Sequence, residues 1–333
     1  MNTRKVKANK DDDLFIFMPG VIESLKRNLQ FPAVQTYTST LHSVGAFLES
    51  DAIAMHCIFT PEQITRYENW LERQGLEPNT ISTYLRTLQA VYNRWAPPGT
   101  PEHNPKLFKE AYTRIESSTK RALTREQVQK LFATNVDTLA PNQQRTLAYF
   151  LLMFLLRGMP FIDLAHLRKT DVRHGTITYL RHKTGKPIVV DIPREAWALL
   201  NKYRDKTDSV YLLPILKDKD TQDAMEQFLD YKSALRKYNR ALAGVIRILL
   251  PGVRVSSYTA RHTWATLAYY MGTPVGIISQ SMGHSSLLVT MTYLKPFGNT
   301  ELDKVNRQVI SSVRKGKWKK WKAYSIVDNR ILR

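Results

Sequence analysis

One arginine near the middle of the chain, Arg157, lies at a position where its charge is expected to need a partner. Arg157 directly follows ten apolar residues, Leu147 to Leu156, which predict a buried helix. A guanidinium at the end of such a helix is expected to be partly buried, and an unpaired buried cation costs several kcal/mol. Two partners are open from the sequence: a structural ion pair with Asp163 or Asp171, or a phosphate, whose oxygens suit the planar fork of arginine.

A second arginine lies at the start of a predicted helix, around residues 258–271. Tyr258 and Arg261 are three residues apart, so they share one face of that helix. His262 follows Arg261 and therefore lies about 100° around the helix from it, which favours a role in the core or behind the site.

A histidine and a tyrosine follow further along the chain. His284 comes directly after Gly283, and Tyr293 stands nine residues after His284. Taken singly, a histidine after a glycine is typical of a helix cap, and a tyrosine is typical of a hydrophobic core. A functional role for His284 and Tyr293 is therefore indicated only when they are considered together with the other candidate residues.

A strand-rich interval interrupts the helical pattern. Residues 172–180 and 186–192 are rich in Thr, Ile and Val, and His-Lys-Thr-Gly at 182–185 separates them as a turn. The pattern predicts a small antiparallel sheet, with Lys183 in its turn and Lys186 just after it. A lysine at such a place is commonly a solvated surface residue.

Taken together, these residues resemble the signature of the tyrosine recombinases, the phage-integrase and Xer-like enzymes that cut and rejoin DNA. That signature is an early arginine, a lysine on a β-hairpin, a His-x-x-Arg element, a Gly-His pair, and a tyrosine nine residues after that histidine. All five elements occur here in order, with Tyr258 in place of the first histidine. The stretches at 260–266 and 283–286 carry the resemblance most specifically. With Arg-Gly-Met at 157–159 and a tyrosine at position 258, the chain resembles a bacterial subgroup of this family.

The resemblance implies a covalent mechanism. Tyr293 would attack a backbone phosphate, forming a 3′-phosphotyrosyl bond and releasing a 5′-hydroxyl. Because the covalent intermediate conserves the phosphodiester energy, no cofactor is expected. Arg157 and Arg261 would each present a bidentate fork to the non-bridging oxygens, where negative charge builds up in the transition state.

The resemblance also implies roles for the other residues of the set. Lys183 matches the hairpin lysine that protonates the leaving 5′-oxygen; Lys186 is its competitor, and Lys183 is preferred. His284 would hydrogen-bond the scissile phosphate or accept the tyrosyl proton. A phenol with an ordinary pKa near ~10 stays neutral, so Tyr258 would contact the phosphate or position Tyr293 without transferring a proton.

The charge of the chain favours a nucleic-acid partner. Among 333 residues, 49 Lys and Arg stand against 29 Asp and Glu, which leaves a formal net charge of +20. Such an excess is typical of proteins that bind polyanions, since each phosphate neutralised by a cation releases counterions. We expect the partner to be double-stranded DNA, with no small-molecule substrate.

Other classes of protein are disfavoured by composition. The longest apolar run is about half of the roughly 20 residues that a membrane-spanning helix needs, so no membrane partner is expected. Cys57 is the only cysteine, which excludes disulfide frameworks and Cys-based zinc sites. Asp11 to Asp13 form the only tight carboxylate cluster and are interpreted as a solvated tail, so we predict that no metal is required. No leader pattern opens the chain, and a cytoplasmic, nucleoid-associated location is expected.

The pattern of helices predicts a mainly α fold with a small antiparallel β-sheet in the C-terminal domain. We expect a helical domain at 1–115, a linker at 116–121, a catalytic domain at 122–312 and a basic C-terminal tail at 313–333. The resemblance identifies the first as a core-binding (SAM-like) DNA-binding domain. The expected helix signals are N-caps at Thr60 and Thr124, a start at Asn79, a short helix ending near Ile115, and helices around 193–204, 220–245 and 258–271.

Family analogy further implies a two-domain DNA clamp that assembles as a homo-tetramer on two duplexes. A short amphipathic helix capped at Thr300 carries Leu302, Val305, Val309 and Ile310. Docking of this helix on a neighbouring subunit is favoured over folding back on its own domain. Two alternatives stay open from the sequence: a type IB topoisomerase with the same tyrosine chemistry, and a catalytically inactive DNA-binding regulator.

Overall fold

The computed structural model describes residues 12–114, 122–217 and 223–313, which are mainly helical with one small antiparallel sheet. The fold class expected from the sequence is therefore confirmed. The expected linker at 116–121 and the basic tail from residue 314 onward lie outside the described residues. Within the described ranges, no helix is both long and apolar enough to cross a membrane.

The first described range folds around a single hydrophobic core, in which Tyr67, Leu71 and Leu85 are completely buried. Asp13, interpreted from the sequence as part of a solvated tail, instead caps the first helix: its Oδ1 accepts the amide of Phe15 at 2.8 Å. The helices are α1 (Leu14–Arg27), α2 (Phe31–Leu48), α3 (Met55–Ile58), α4 (Pro61–Arg73) and α5 (Pro78–Trp95).

Local chemistry sets the ends of α4 and α5. Thr60 caps α4 by accepting the amide of Gln63 at 3.2 Å, and Gly75, with a φ of +70°, follows the end of that helix. Helix α5 begins at Pro78, one residue before the expected Asn79, because proline suits the first turn of a helix.

The short helix expected to end near Ile115 does not form in residues 97–114, which make turns instead. Prolines recur in this segment, and each removes an amide donor that a helix needs. Tyr92 replaces part of the missing hydrogen bonding: its hydroxyl accepts the amide of Asn104 at 2.6 Å and donates to the carbonyl of Glu102 at 3.1 Å. Leu107 and Phe108 still reach the core.

The second part of the chain packs around α7, the helix predicted from the apolar run. Its residues 146–153 are buried, and it contacts α9, α10 and α11. The helices of this part are α6 (Arg125–Phe132), α7 (Pro141–Leu155), α8 (Phe161–His166), α9 (Arg194–Tyr203), α10 (Ala224–Leu249), α11 (Ser257–Tyr270), α12 (Val275–Ser281), α13 (Leu287–Met291) and α14 (Asn299–Val313).

The sheet has three antiparallel strands, β1 (Val172–Arg173), β2 (Thr176–Leu180) and β3 (Pro187–Asp191), in the order β1-β2-β3. The single strand expected over 172–180 is therefore wrong. It is broken at His174 and Gly175, whose φ angles of +50° and +80° reverse the chain in a hairpin. Ile177 pairs with Val190, and both side chains are buried in the core of the second part.

The last helices position the end of the chain. The expected helix at 220–245 is α10, which is capped by Asp223 and runs on to Leu249. A small separate core, formed by Ala265, Ile278, Met282, Tyr293 and Leu294, joins α11 and α12 to the segment after α13. This small core holds Tyr293 against α11.

The central position of α7 makes its packing the main support of the second part. We expect Leu152→Ala, at a completely buried position, to lower the free energy of unfolding by about 2–5 kcal/mol through lost burial and a cavity. Leu180→Ala, where the side chain is 69% exposed, should change it by less than about 0.5 kcal/mol. Hydrogen–deuterium exchange of the α7 amides measures both, and equal effects would contradict this packing.

Candidate active site

Arg261 is the most buried cation of the site, with only 2% of its surface exposed. Its Nη1 donates to the carbonyl of Gly158 at 2.8 Å, and its Nη2 donates to the carbonyl of Met282 at 2.6 Å and to Nε2 of His284 at 2.9 Å. These acceptors are uncharged, so the guanidinium lies inside the protein without a neutralising carboxylate among its hydrogen-bond partners.

The turn after α7 approaches Arg261 so closely that only glycine fits there. Gly158 has a φ of +69°, and a Cβ at this position would lie 3.1 Å from Cα of Arg261 and 3.3 Å from its Cγ. A side chain would therefore be strained and would push the turn away from α11. Close packing here explains the glycine that follows the first arginine.

Arg157 lies in the same turn, in a left-handed conformation with a φ of +57°. Its side chain is half-buried, and Nη1 donates to the carbonyl of Val189 on β3 at 3.3 Å. The ion pairs recorded among the described residues do not join Arg157 to Asp163 or Asp171. The structural ion pair considered from the sequence is therefore absent in this part of the chain.

His284 bridges Arg261 and α13. Because arginine can only donate, Nε2 of His284 must be the acceptor of the Arg261 bond, and the ring proton lies on Nδ1, 2.8 Å from Oγ1 of Thr290. Burial, reinforced by the positive charges of Arg261 and other nearby cations, lowers the pKa of His284 to about 3. The imidazole is therefore neutral at physiological pH.

Tyr293 is packed among the residues singled out from the sequence and is 7% exposed. Its ring stacks on His284 with centroids 4.9 Å apart, and Cζ of Arg261 lies 5.5 Å from its ring centroid. Its hydroxyl lies 2.5 Å from the hydroxyl of Tyr258. Burial, together with this hydrogen bond, raises the pKa of Tyr258, so the Tyr258 phenol is neutral.

Two residues of α11 hold the main chain of Tyr293. Nδ1 of His262 and Oγ1 of Thr266 each lie 3.3 Å from the carbonyl oxygen of Tyr293. The His262 ring also packs on the Tyr293 ring, with centroids 4.8 Å apart. His262 thus supports the tyrosine from behind, and it does not replace Tyr258.

The turn between β2 and β3 brings two lysines to this cluster. Lys183 is exposed in the turn, and its charge is one of those that lower the pKa of His284. Lys186 follows the turn, and its Nζ lies 3.5 Å from the carbonyl oxygen of His284. Both lysines are therefore near His284, and neither is separated from the site.

The electrostatic balance of the site is positive. Asp163 is buried nearby, and its Oδ1 accepts the amide of His182 at 2.9 Å. Burial raises the pKa of Asp163, while the His182 amide and the charges of Arg181 and Arg261 act in the opposite direction. One carboxylate therefore faces several cations. Among the described residues, no group of three or more His, Cys, Asp or Glu side chains is placed to hold a metal ion. Buried guanidinium groups paired with neutral acceptors are well suited to bind an oxyanion.

Three supporting residues were not predicted from the sequence: Thr266, Thr290 and Arg181. Arg181 lies just after β2 and is 4% exposed. A signal for it exists, because the alternation of a strand puts Ile177, Tyr179 and Arg181 on one face. The two threonines carry no comparable signal, since each simply continues a helical segment.

Comparison with known proteins gives two matches that together span most of the chain. The pattern of the phage integrase family matches residues 121–299, and that of the phage integrase SAM-like domain matches residues 13–106.

Several relatives carry names from the same group. Tyrosine recombinase XerA of Thermococcus onnurineus (strain NA1) is 25% identical over 270 residues, covering 70% of this chain and 90% of the relative. Tyrosine recombinase XerC of Oceanobacillus iheyensis (strain DSM 14371 / CIP 107618 / JCM 11309 / KCTC 3954 / HTE831) is 25% identical over 290 residues, covering 85% of this chain and 92% of the relative.

Solved structures share the fold at lower identity. A lambda integrase dimer bound to a COC′ core site is 15% identical with a TM-score of 0.59, covering 84% of this chain and 77% of that one. XerH site-specific recombinase bound to its difH substrate is 14% identical with a TM-score of 0.54, covering 88% and 83%.

The lowered pKa of His284 makes stability depend on pH. The folded pKa of about 3 is below the ordinary 6.5, so the unfolded chain binds more protons between these values. Stability is therefore lost as the pH falls from about 6.5 toward 3. We expect His284→Asn to reduce this loss, by less than the roughly 1.4 kcal/mol per pH unit of one full proton, because the half-buried ring is partly screened.

Urea unfolding between pH 7 and pH 4.5 measures the effect. His174→Asn is the matched control, since His174 is exposed and asparagine tolerates its left-handed backbone. A native-like pH dependence in His284→Asn would contradict the neutral, hydrogen-bonded imidazole.

Proposed function

We infer that this chain, which belongs to the phage integrase family, is a site-specific tyrosine recombinase that cuts and rejoins double-stranded DNA. The single observation that carries the mechanism is the packing of Tyr293 against Arg261 and His284, with its hydroxyl on Tyr258. A phenol in contact with a buried guanidinium whose hydrogen-bond acceptors are all neutral is suited to attack a phosphodiester.

The proposed reaction is a phosphoryl transfer to Tyr293. The phenolic oxygen bonds to phosphorus, and the bond from phosphorus to the 5′-oxygen breaks, leaving a 3′-phosphotyrosyl linkage and a free 5′-hydroxyl. A 5′-hydroxyl from the same or a partner strand then attacks phosphorus and releases Tyr293 with its proton restored. Because the two steps exchange equivalent ester bonds, the cycle is balanced without a cofactor.

We assign the two arginines of the signature to the non-bridging oxygens of the phosphate. Arg261 is held in place by neutral hydrogen-bond acceptors, so a phosphate would be its first hydrogen-bonded counter-ion. Arg157 has no carboxylate partner among the described residues, and DNA would compete with the Val189 carbonyl for its donors. Loss of one well-placed donor of this kind costs about 100–1000-fold in rate.

We assign the proton transfers to the lysine turn and to His284. Lys183 would protonate the leaving 5′-oxygen and then regain a proton from water. Lys186 is the weaker candidate, because its ammonium lies at the His284 carbonyl. Neutral His284 has a single ring acceptor, Nε2, which would accept the tyrosyl proton once Arg261 turns its donor to the phosphate; alternatively, the Nδ1 proton would leave Thr290 and bond the scissile phosphate. Neutral Tyr258 would orient the hydroxyl of Tyr293.

We further propose that residues 1–115 and 122–312 act as two domains that clamp the duplex, with 116–121 as the linker and 313–333 as a basic tail. The net charge of +20 supports binding to DNA, and we propose the nucleoid as the site of action. Lambda integrase and XerH, which share this fold, were solved as complexes with DNA, which supports the same partner here.

A homo-tetramer on DNA is proposed from an apolar helix and an apolar groove. On α14, Leu302, Val305, Val309 and Ile310 are each 50–56% exposed, so this face is not buried on its own chain. A groove of about 1140 Å³ lies between α6, the end of α7 and α11, and it is largely apolar. We propose that α14 of one subunit docks in the groove of the next.

The nucleophile is tested with a DNA substrate that carries a nick beside the cleavage point, which traps the covalent intermediate. Native protein should form a covalent adduct, and Tyr293→Phe should form none. Tyr258→Phe should still form the adduct about two- to tenfold more slowly, because it removes one hydrogen bond of about 0.5–1.5 kcal/mol. An adduct that persists in Tyr293→Phe would assign the nucleophile to another residue.

The same native protein distinguishes the alternatives. Recombinant products are expected, whereas supercoil relaxation without them would indicate a topoisomerase, and DNA binding without any adduct would indicate an inactive regulator.

The docking proposal is tested by placing a charge on the apolar face of α14. Val309→Asp should weaken pairing of two DNA sites at least about tenfold, because a carboxylate would enter an apolar groove, while binding to a single site stays unchanged. The neighbouring Gln308→Asp adds the same charge on another face of the helix and should leave pairing intact. Equal pairing by both variants, measured by native gel electrophoresis, would contradict docking of α14.

A further inference from the structure

A third buried arginine lies beside the site, and the proposed reaction has not used it. Arg181 follows the last residue of β2 and is 4% exposed. It lies on the face of the strand that also carries Ile177 and Tyr179, which points into the protein. Its charge contributes to the lowered pKa of both Arg261 and His284, so it is part of the same cationic cluster.

The side chain of Arg181 binds the turn that carries His284. Its Nη1 donates to the carbonyl of Met282 and, at 3.1 Å, to the carbonyl of Gly283. Arg261 donates to the same Met282 carbonyl at 2.6 Å. One main-chain oxygen is therefore shared by two guanidinium groups, and the position of the His284 turn depends on both.

The main chain of Arg181 closes the turn that carries Lys183. Its amide donates to the carbonyl of Lys186 at 2.9 Å, and its carbonyl accepts the amides of Thr184 at 3.2 Å and Gly185 at 2.8 Å. The main chain of Arg181 thus closes the loop of Lys183, and the side chain of Arg181 donates to the carbonyls of Met282 and Gly283.

The sheet and the His284 turn are also pressed together. Gly283 has a φ of +66°, and a Cβ there would lie 2.6 Å from Cδ1 of Ile188 on β3 and 3.2 Å from Cδ of Arg181. The contact between hairpin and turn is therefore tight; Arg181 provides its buried hydrogen bonds, and Lys186 adds an exposed one to the His284 carbonyl.

A purely structural role would not require a cation at this place. The hydrogen bonds of the Arg181 guanidinium go to carbonyls, and its Nε is buried without a partner. Burying a charge in this way is costly, and apolar packing of similar volume is often as stable or more stable. The guanidinium brings two main-chain turns into one fixed arrangement, which an apolar side chain cannot do through hydrogen bonds.

We propose that Arg181 is a positioning residue that locks the Lys183 turn to the His284 turn, so that the general acid and His284 address the same phosphate. The proposal rests on the proposed recombinase function and adds a residue outside the family signature found in the sequence. Arg181 acts here through Lys183, not by contact with the DNA.

The chemistry of the leaving group provides a specific readout. When Tyr293 attacks, the bond to the 5′-oxygen breaks, and this oxygen takes a proton from the Lys183 ammonium. If the bridging 5′-oxygen is replaced by sulfur, the leaving group is a thiolate, which is far less basic than an alkoxide and departs without a proton. A defect in general-acid catalysis is then rescued, whereas a defect in phosphate binding or in folding is not.

The experiment compares single-turnover cleavage of the nicked DNA with an oxygen or a sulfur at the 5′ bridging position. We expect Arg181→Met to slow cleavage of the oxygen substrate about 10–100-fold, which is within the contribution of a general acid. With the sulfur substrate, its rate should come within about threefold of native protein, as should that of Lys183→Ala. Arg157→Ala should stay slow on both substrates, because its role is at the non-bridging oxygens.

Two further variants serve as controls for a folding defect. Arg173→Met removes an exposed arginine from β1 of the same sheet and should cleave both substrates at the native rate. Arg181→Lys keeps the charge and one donor group, and should retain part of the activity on the oxygen substrate with full rescue by sulfur.

The outcomes separate the two claims. If native protein forms no covalent adduct with either substrate, the proposed function fails. If native protein forms the adduct but Arg181→Met cleaves normally, or if both Arg181 variants remain equally slow with sulfur, the proposed role of Arg181 is overturned.

Discussion

The structure depends on a buried guanidinium that is held by neutral acceptors. Arg261 is almost completely buried, and its hydrogen bonds run to two main-chain carbonyls and one imidazole. Each acceptor comes from a different part of the chain: the turn after α7, the end of α12, and the turn before α13. One side chain therefore ties together the segments that carry Arg157 and His284. Without a carboxylate partner, it also keeps the charge that a phosphate would neutralise.

The proposed nucleophile, Tyr293, lies beside this arginine and is held there by residues from both sides. Tyr293 follows α13 in a small separate core, and α11 holds its main chain through His262 and Thr266. The same helix presents Tyr258 to its hydroxyl. A neutral phenol at this position can orient the hydroxyl of Tyr293 through a hydrogen bond, and it adds no further cation to a site already rich in them.

Much of the fold could be predicted because its signals are local. Capping residues such as Thr60 mark helix starts, and the ten-residue apolar run marks the central helix. The predictions failed where local composition conflicts with backbone geometry. The stretch at 172–180 was expected to be one extended strand, but it contains a hairpin because His174 and Gly175 both adopt left-handed conformations. The helix expected to end near residue 115 does not form, because prolines lack the amide donors that a helix needs and the Tyr92 hydroxyl bonds the amide of Asn104 instead.

The main residues of the site could be predicted from their spacing in the sequence, but the contacts between them could not. Nothing in the sequence indicates that Arg157 contacts a strand carbonyl or that Arg181 and Arg261 share the Met282 carbonyl. Such contacts depend on how distant segments pack. They matter because the reactivity of a phosphate site depends on which donors are already fixed before the substrate arrives.

The claim that Arg261 exists to meet a phosphate charge is tested most directly by removing that charge from the DNA. A methylphosphonate at the scissile position replaces one charged non-bridging oxygen by a methyl group. We expect Arg261→Ala to slow cleavage of the ordinary phosphodiester about 100–1000-fold, and to have an effect of less than about tenfold on the uncharged substrate. An equal loss on both substrates would contradict the account, since it would make Arg261 a support of the fold alone.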